Sequence, residues 1–228
     1  VLRLFSKKKT PLTLEQIGME EKDQHLLARI ARRPNGLILV TGPTGSGKTT
    51  SLNAVLQHIK SDTQKIITIE DPIEYVIDGV NQIQTNDRIG LSFDTILRRV
   101  LRQDPNIIMV GEIRDTQTAE LAIRASLTGH LVLSTLHTRD SVSVITRLKN
   151  MQIEPYLIAA VLRGSMAQRL VRRICPECRH KKKASRAEAA LLAKQGLAAG
   201  PVYEGRGCKS CHQSGFRGRI GLFELFES

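Results

Sequence analysis

The stretch that decides the fold is Leu37–Lys60, LILVTGPTGSGKTTSLNAVLQHIK. Its opening, Leu37 to Val40, is a short apolar run of the kind that forms a buried strand. The run ends in Gly42-Pro43-Thr44-Gly45-Ser46-Gly47-Lys48-Thr49, with Thr50 following, and this fits G-x-x-x-x-G-K-[ST], the P-loop. Beyond it Leu52, Val55, Leu56 and Ile59 recur at helical spacing, so the loop joins a strand to an amphipathic helix. Glycines let such a loop wrap closely around phosphates, with backbone N–H groups and the helix N-terminus turned toward negative charge. Lys48 would then reach the β- and γ-phosphates, and the Thr49 hydroxyl would ligate magnesium. The bland reading is a glycine-rich turn that binds nothing, but strand, loop and helix stand in register here. The stretch reads as a site for a nucleoside triphosphate.

Working outward, Thr13 and Gln16 have capping-box spacing and Gly18 closes that turn; Glu20–Arg33 reads as a helix stopped by Pro34-Asn35-Gly36. Val1–Lys9 reads as the tail of a strand followed by a basic linker. After the P-loop unit come the apolar strand Lys65–Glu70, a hairpin signal at Asp78-Gly79 between Tyr75–Ile77 and Val80–Gln84, and a helix over Asp94–Gln103. Strand Ile107–Val110, helix Thr116–Ser126 and strand Leu131–Ser134 follow, and Arg139–Val171 reads as two helices, the second starting near Pro155. Strands alternating with helices of this length imply an α/β domain with a mostly parallel sheet. Ligands of such sheets sit at the carboxyl ends of strands, which places Glu70, Asp71, Glu74, Glu112 and His137 on the same rim as the loop.

An enzyme acting on a triphosphate needs an acid for magnesium and a group that activates water. Glu112 follows four apolar residues and one glycine and is assigned to magnesium, through water; its alternative is a helix-start carboxylate. Glu70 and Glu74 are the candidates for activating water, and the sequence leaves the choice open. Asp71 could instead cap the Pro72 turn. His137 could donate to a γ-phosphate or simply pack. Arg98, Arg99, Arg102 and Arg114 are dense in this region and would serve either as fingers between subunits or in surface ion pairs.

Cys175-Pro176-Glu177-Cys178 and Cys208-Lys209-Ser210-Cys211 supply four thiols in two C-x-x-C pairs, the pattern of a structural zinc site. The wide separation requires the Ala-rich helical stretch Ser185–Gln195 to loop out between them. Disulfides are the rival, but a chain built to bind a nucleotide belongs in a reducing compartment.

The 228 residues carry a net charge of +12, with aromatics at 4% and no Trp. Met151–Ser228 holds 14 Lys+Arg against 6 Asp+Glu. So basic an end suits nucleic acid, anionic lipid or an acidic protein, although the shortage of aromatics argues against stacking on single strands. No apolar run approaches transmembrane length.

GPTGSGKTT, IITIEDPIEY, LRQDPNIIMVGEIRD, GHLVLSTLHT, CPEC and CKSCHQSGFRGRIG, in this order, resemble the secretion ATPase family. Within it they look most like the assembly motors of type II secretion and type IV pili. In that family the first four blocks are Walker A, Asp box, Walker B and His box, which map onto Gly42–Thr50, Glu70–Glu74, Glu112 and Gly129–His137. The resemblance implies a RecA-like P-loop NTPase with ATP and Mg²⁺ bound between subunits of a homo-hexamer, and a tetracysteine Zn²⁺ module. It further implies a cytoplasmic location peripheral to the inner membrane, with a membrane platform and docking proteins as partners. The implied domains are a linker over 1–18 from a missing N-terminal domain, the ATPase domain over 19–171, the zinc module over 172–222, and the start of a missing helical segment over 223–228. A DNA-uptake or conjugation motor, its basic end touching nucleic acid, is the alternative. Such a piece is expected to bind nucleotide but to hydrolyse it slowly alone.

Overall fold

The computed structural model describes residues 11–198 and 200–228, so the linker expected over Val1–Lys9 lies outside the described residues. The chain in order forms α1 (Glu21–Ala31), β1 (Gly36–Thr41), α2 (Lys48–Ile59), β2 (Ile66–Glu70), β3 (Asn81–Gln84), α3 (Phe93–Val100), β4 (Ile107–Val110) and α4 (Thr116–Leu127). It continues through β5 (Leu131–Leu136), α5 (Ser143–Asn150), α6 (Pro155–Val161), β6 (Leu162–Ile174), β7 (Arg179–Lys182), α7 (Arg186–Lys194), β8 (Val202–Gly205) and β9 (Phe216–Glu227).

Seven strands make one sheet in the order β3-β2-β4-β5-β1-β6-β9. The pairings of β1 with β5 and β6, of β4 with β5, and of β2 with β3 and β4 are all parallel. Successive side chains of a strand point to opposite faces, and the cores divide accordingly. Leu37 and Leu39 of β1 pack with Ile67, Ile69, Ile108 and Val110 against α3, α4, α5 and α6. Ile38 and Val40 pack with Ile107, Met109 and Leu133 against α1 and α2. Both faces are covered, which is why β1, β2, β4 and β5 read as unbroken apolar runs rather than as alternation.

Two compact units result. One runs to Arg169 and takes back Gly221–Ser228; the other is Leu170–Ile220, and strands β6 and β9 pass through the boundary. In the second unit β7 and β8 form an antiparallel ribbon, and α7 opens on a capping box between Ser185 and Glu188.

Three sequence expectations are corrected. No hairpin forms at Asp78-Gly79. The turn is there, with Gly79 at φ 76, but β3 pairs parallel to β2 and residues 71–80 carry the chain back to the start of the sheet. Residues 162–171, expected in a helix, belong to β6. Its first half is buried between β1 and β9, so no period-2 alternation betrays it. Residues 223–228, expected to open a helical segment, lie in β9 through Glu227: Phe223 and Leu225 pack toward α1 and α2, Phe226 toward the other layer. Among the described residues no helix is long and apolar enough to cross a membrane.

Leu39 is fully buried at the centre of the sheet. Leu39→Ala is therefore expected to cost about 2–5 kcal/mol of stability, read from the midpoint of urea unfolding. A loss below about 1 kcal/mol would contradict the packing described.

Candidate functional site

The loop after β1 is shaped by its glycines, and at Gly42 no side chain fits. A Cβ on Gly42, at φ 144, would stand 2.3 Å from the Gln168 carbonyl oxygen of β6 and 2.7 Å from Ser46 Oγ. Gly45 and Gly47 are left-handed at φ 76 and 87, and Gly47 is the N-cap of α2. Gln168 also accepts a 2.7 Å hydrogen bond from Ser51 Oγ, so β6 clamps the first turn of the helix to the loop. The N–H groups of that first turn have no helical acceptors, as at any helix start.

Lys48 is the first residue of α2 and is buried. Its Nζ donates to the carbonyls of Gly42 at 2.9 Å and Pro43 at 3.1 Å. Burial pushes its pKa below the ordinary lysine value, an effect partly opposed by the Glu112 carboxylate. Ser46 Oγ is buried without a protein partner.

Beside the loop lies a cavity of about 420 Å³ at the carboxyl ends of the strands, lined by Thr44, Gly45, Lys48, Thr49, the acids Glu70, Asp71, Glu74 and Glu112, and by Arg114 and His137, among others. The fold thus brings together Glu70, Glu74, Glu112, His137 and part of the loop. Thr50 stands just outside, its hydroxyl 3.4 Å from Tyr75 Oη.

Each strand end delivers its group differently. Glu70 is the last residue of β2 and is buried. Its Oε1 accepts from Thr68 Oγ1 at 2.6 Å and from Gln82 Nε2 at 2.9 Å, whereas Oε2 is buried with no partner. Burial raises its pKa; the Thr68 and Gln82 hydrogen bonds work against that rise and the Glu74 carboxylate adds to it. Glu112 accepts from Arg114, which also lies 3.6 Å from Asp71 and 6.0 Å from the Phe93 ring centre. His137, directly after β5, approaches Glu112 with Nε2 3.8 Å from the carboxylate. Burial, then the Lys48 charge, hold its pKa below the usual histidine value, which favours the neutral imidazole at pH 7. Of the four arginines singled out from the sequence, Arg114 lines the cavity, while Arg98 lies 3.9 Å from Asp94 one helical turn earlier. Gln82 was missed by sequence reasoning, since a glutamine inside a short strand belongs to no motif.

The residues fit a magnesium triphosphate. Glycines at positive φ shape the loop, an ammonium stands at its rim, two buried polar oxygens lack partners, and carboxylates line the same cavity.

In the second unit the four cysteine sulfurs lie within 4.8 Å of one another. Sγ separations are 3.8 Å for Cys175–Cys208, 3.9 Å for Cys178–Cys211 and 3.6 Å for Cys208–Cys211. Tetrahedral zinc thiolates, with bonds of about 2.3 Å, require roughly 3.8 Å between sulfurs, so the set fits zinc and is far too wide for disulfides at about 2.05 Å. The backbone holds the two pairs together: Cys175 N–H donates to Gly215 O at 2.9 Å and Arg206 N–H to Cys178 O at 3.2 Å.

A family model described as "Type II/IV secretion system protein" matches residues 1–228. The chain belongs to this family. Among curated members, the type II secretion system protein E of Pseudomonas aeruginosa is 51% identical over 225 residues, 99% of this chain and 45% of that protein. The type II secretion system ATPase E of Vibrio cholerae is 48% identical with the same coverage. Among solved structures, the pilus retraction motor PilT with bound ADP matches with a TM-score of 0.66 at 38% identity, over 75% of this chain and 52% of that chain. The chain spans about half the length of the curated relatives it matches.

Two outcomes follow. Because folding raises the Glu70 pKa above its ordinary 4.5, its contribution to stability is retained below that value and is lost as pH climbs through the raised one. Glu70→Gln should gain stability relative to the parent as pH rises above about 4.5 and through the raised Glu70 pKa, in urea titrations without nucleotide; a difference that stays flat with pH would contradict this. The second unit should carry one zinc per chain by elemental analysis, and Cys175→Ser should lose it, together with a large part of a metal contribution on the order of 10 kcal/mol.

Proposed function

We propose that this chain is the nucleotide-hydrolysing half of a secretion ATPase that powers assembly of a type II secretion pseudopilus or a type IV pilus. The observation that carries the reading is the convergence of Lys48, Glu70 and Glu112 on one cavity beside the glycine loop. Membership of the secretion family, with an ATPase among the close relatives, supports the coupling to transport.

On this reading ATP binds with its phosphates over Gly42–Thr49. Lys48 exchanges the Gly42 and Pro43 carbonyls for phosphate oxygens, which are stronger acceptors for a partly desolvated ammonium. Thr49 and, through water, Glu112 would hold magnesium, which when bound neutralises charge developing on the phosphates. Glu70 or Glu74, the two candidates that line the cavity, receives and orients the attacking water. His137, neutral, donates to the γ-phosphate and reports its loss to the strand end that carries it.

Zinc in the second unit has a structural role, since four thiolates leave no open position. The active form is a homo-hexamer with nucleotide between subunits, at the cytoplasmic side of the inner membrane, where platform and docking proteins or anionic lipid meet it.

Lys48→Ala and Glu112→Gln in the full-length protein should each lower magnesium-dependent phosphate release by about 10²-fold or more, with circular dichroism unchanged. Parental turnover in Lys48→Ala would defeat the proposal.

A further inference from the structure

We propose that Thr41 is the positioning residue that holds His137 where a γ-phosphate would meet it. The proposal rests on the ATPase reading, in which His137 donates to that phosphate, and names the group that puts the histidine there.

Among the described residues the His137 ring makes no hydrogen bond and only approaches Glu112, at 3.8 Å. About half of the side chain is exposed, and it lines the cavity that Lys48 and Glu112 also line. A ring tethered so lightly is placed by its backbone. The backbone on either side of it is held by one buried hydroxyl.

Thr41 is the last residue of β1, fully buried, and it stands opposite Leu136 in the parallel pairing of β1 with β5. Its Oγ1 lies 3.1 Å from the Leu136 carbonyl oxygen, accepts from the Thr138 N–H at 2.7 Å, and lies 2.7 Å from Thr138 Oγ1. Thr138 Oγ1 in turn donates to the Asp140 carbonyl at 2.8 Å. A hydroxyl has a single proton to give. With that of Thr138 spent on Asp140, the contact between the two threonines takes the proton of Thr41, and the chain of bonds runs one way: Thr138 N–H to Thr41, Thr41 to Thr138 Oγ1, Thr138 to Asp140. Residues 136 and 138 are thus gripped from one atom, with His137 between them.

The position of Thr41 gives the grip its use. Gly42 follows it and opens the phosphate loop, and the Gly42 carbonyl accepts from Lys48. Thr41 therefore ties His137 to the loop itself and sets how far the ring stands from a phosphate seated there. The device repeats one strand over. Thr135 of β5 donates through Oγ1 to the Gly111 carbonyl at 2.8 Å, and its own carbonyl accepts from the Ile113 N–H at 3.0 Å, so it brackets Glu112 as Thr41 brackets His137. Valine would suit the apolar packing of these strand ends equally well, so the hydroxyls are accounted for by the bonds they make. Farther along, Ser143 donates to the Asp140 carboxylate at 2.8 and 2.7 Å, and Ser141 donates to Glu224 at 3.1 and 2.6 Å. Releasing Thr41 would loosen the stretch at His137 and leave the remainder anchored.

The test is calorimetry on the full-length protein with magnesium, comparing ADP with a non-hydrolysable ATP analogue in the parent, Thr41→Val, His137→Ala and the double variant. Both nucleotides occupy the loop, but only the analogue brings a γ-phosphate to His137, so the ratio of the two affinities isolates that contact. Thr41→Val keeps the branched shape and leaves the Thr138 N–H without its acceptor. It should lower the preference for the analogue over ADP about 3–10-fold, as the loss of a single hydrogen bond does. His137→Ala should lower it as much, and the double variant no further. Thr41→Ser, which restores the hydroxyl, should return the parental ratio. Thr138→Val breaks the same chain and serves if Thr41→Val folds poorly. A parental ratio in Thr41→Val, equal losses for the two nucleotides, a deficit that Thr41→Ser shares, or additive losses in the double variant would each overturn the proposal. A parent that binds neither nucleotide, or a His137→Ala variant with the parental ratio, would instead overturn the reading on which it rests.

Discussion

A backbone that must turn back on itself without side chains, at the end of a strand buried on both faces, is the constraint on which the molecule depends. Gly42 cannot carry a Cβ because the Gln168 carbonyl occupies its place, and Gly47 starts α2 from a left-handed conformation. That geometry seats Lys48 in the first turn with its ammonium turned back onto the loop, where burial makes the charge expensive until an anion meets it. The parallel sheet then does the rest. Strands β2, β4 and β5 end on the same rim and deliver one polar group apiece: Glu70, Glu112 and His137.

Charges at this rim are arranged so that each is incompletely satisfied by the protein. Glu112 shares Arg114 with Asp71, His137 stands within Coulomb range of Lys48 and Glu112, and Glu70 keeps one oxygen unpaired. Such arrangements lower stability in the free protein and are recovered when a ligand with phosphates and a divalent cation supplies the missing partners. The tetracysteine unit follows the opposite logic. Its four sulfurs stand at spacings that one tetrahedral ion completes, and the backbone bonds from Cys175 and Arg206 spend themselves on holding the pairs together.

Much of this was legible in the sequence because the relevant physics is local. A P-loop, a strand-end carboxylate, a capping box such as Ser185–Glu188 and a C-x-x-C pair each state their geometry within ten residues. What escaped was set by distant neighbours. The residues of β3 read equally well as half of a hairpin, because alternation carries no information on whether the partner strand runs parallel. Residues 162–167 hide their strand by being buried on both faces. Gln82 carries no signal at all, since its meaning comes from lying opposite Thr68. In β9, by contrast, Phe223-Glu224-Leu225 has period 2, and Glu224 accepts from Ser141, so the strand was readable but was outweighed by a family expectation.

The central claim is that a magnesium triphosphate rests on the loop before Lys48 with the strand-end carboxylates facing it. The most direct measurement is a crystal or cryo-EM structure of the full-length protein with magnesium and a non-hydrolysable ATP analogue. The account requires the γ-phosphate at Lys48, with Glu112 beside the magnesium and the Glu70 or Glu74 carboxylate against an ordered water. A nucleotide seated elsewhere, or carboxylates turned away from it, would contradict the account.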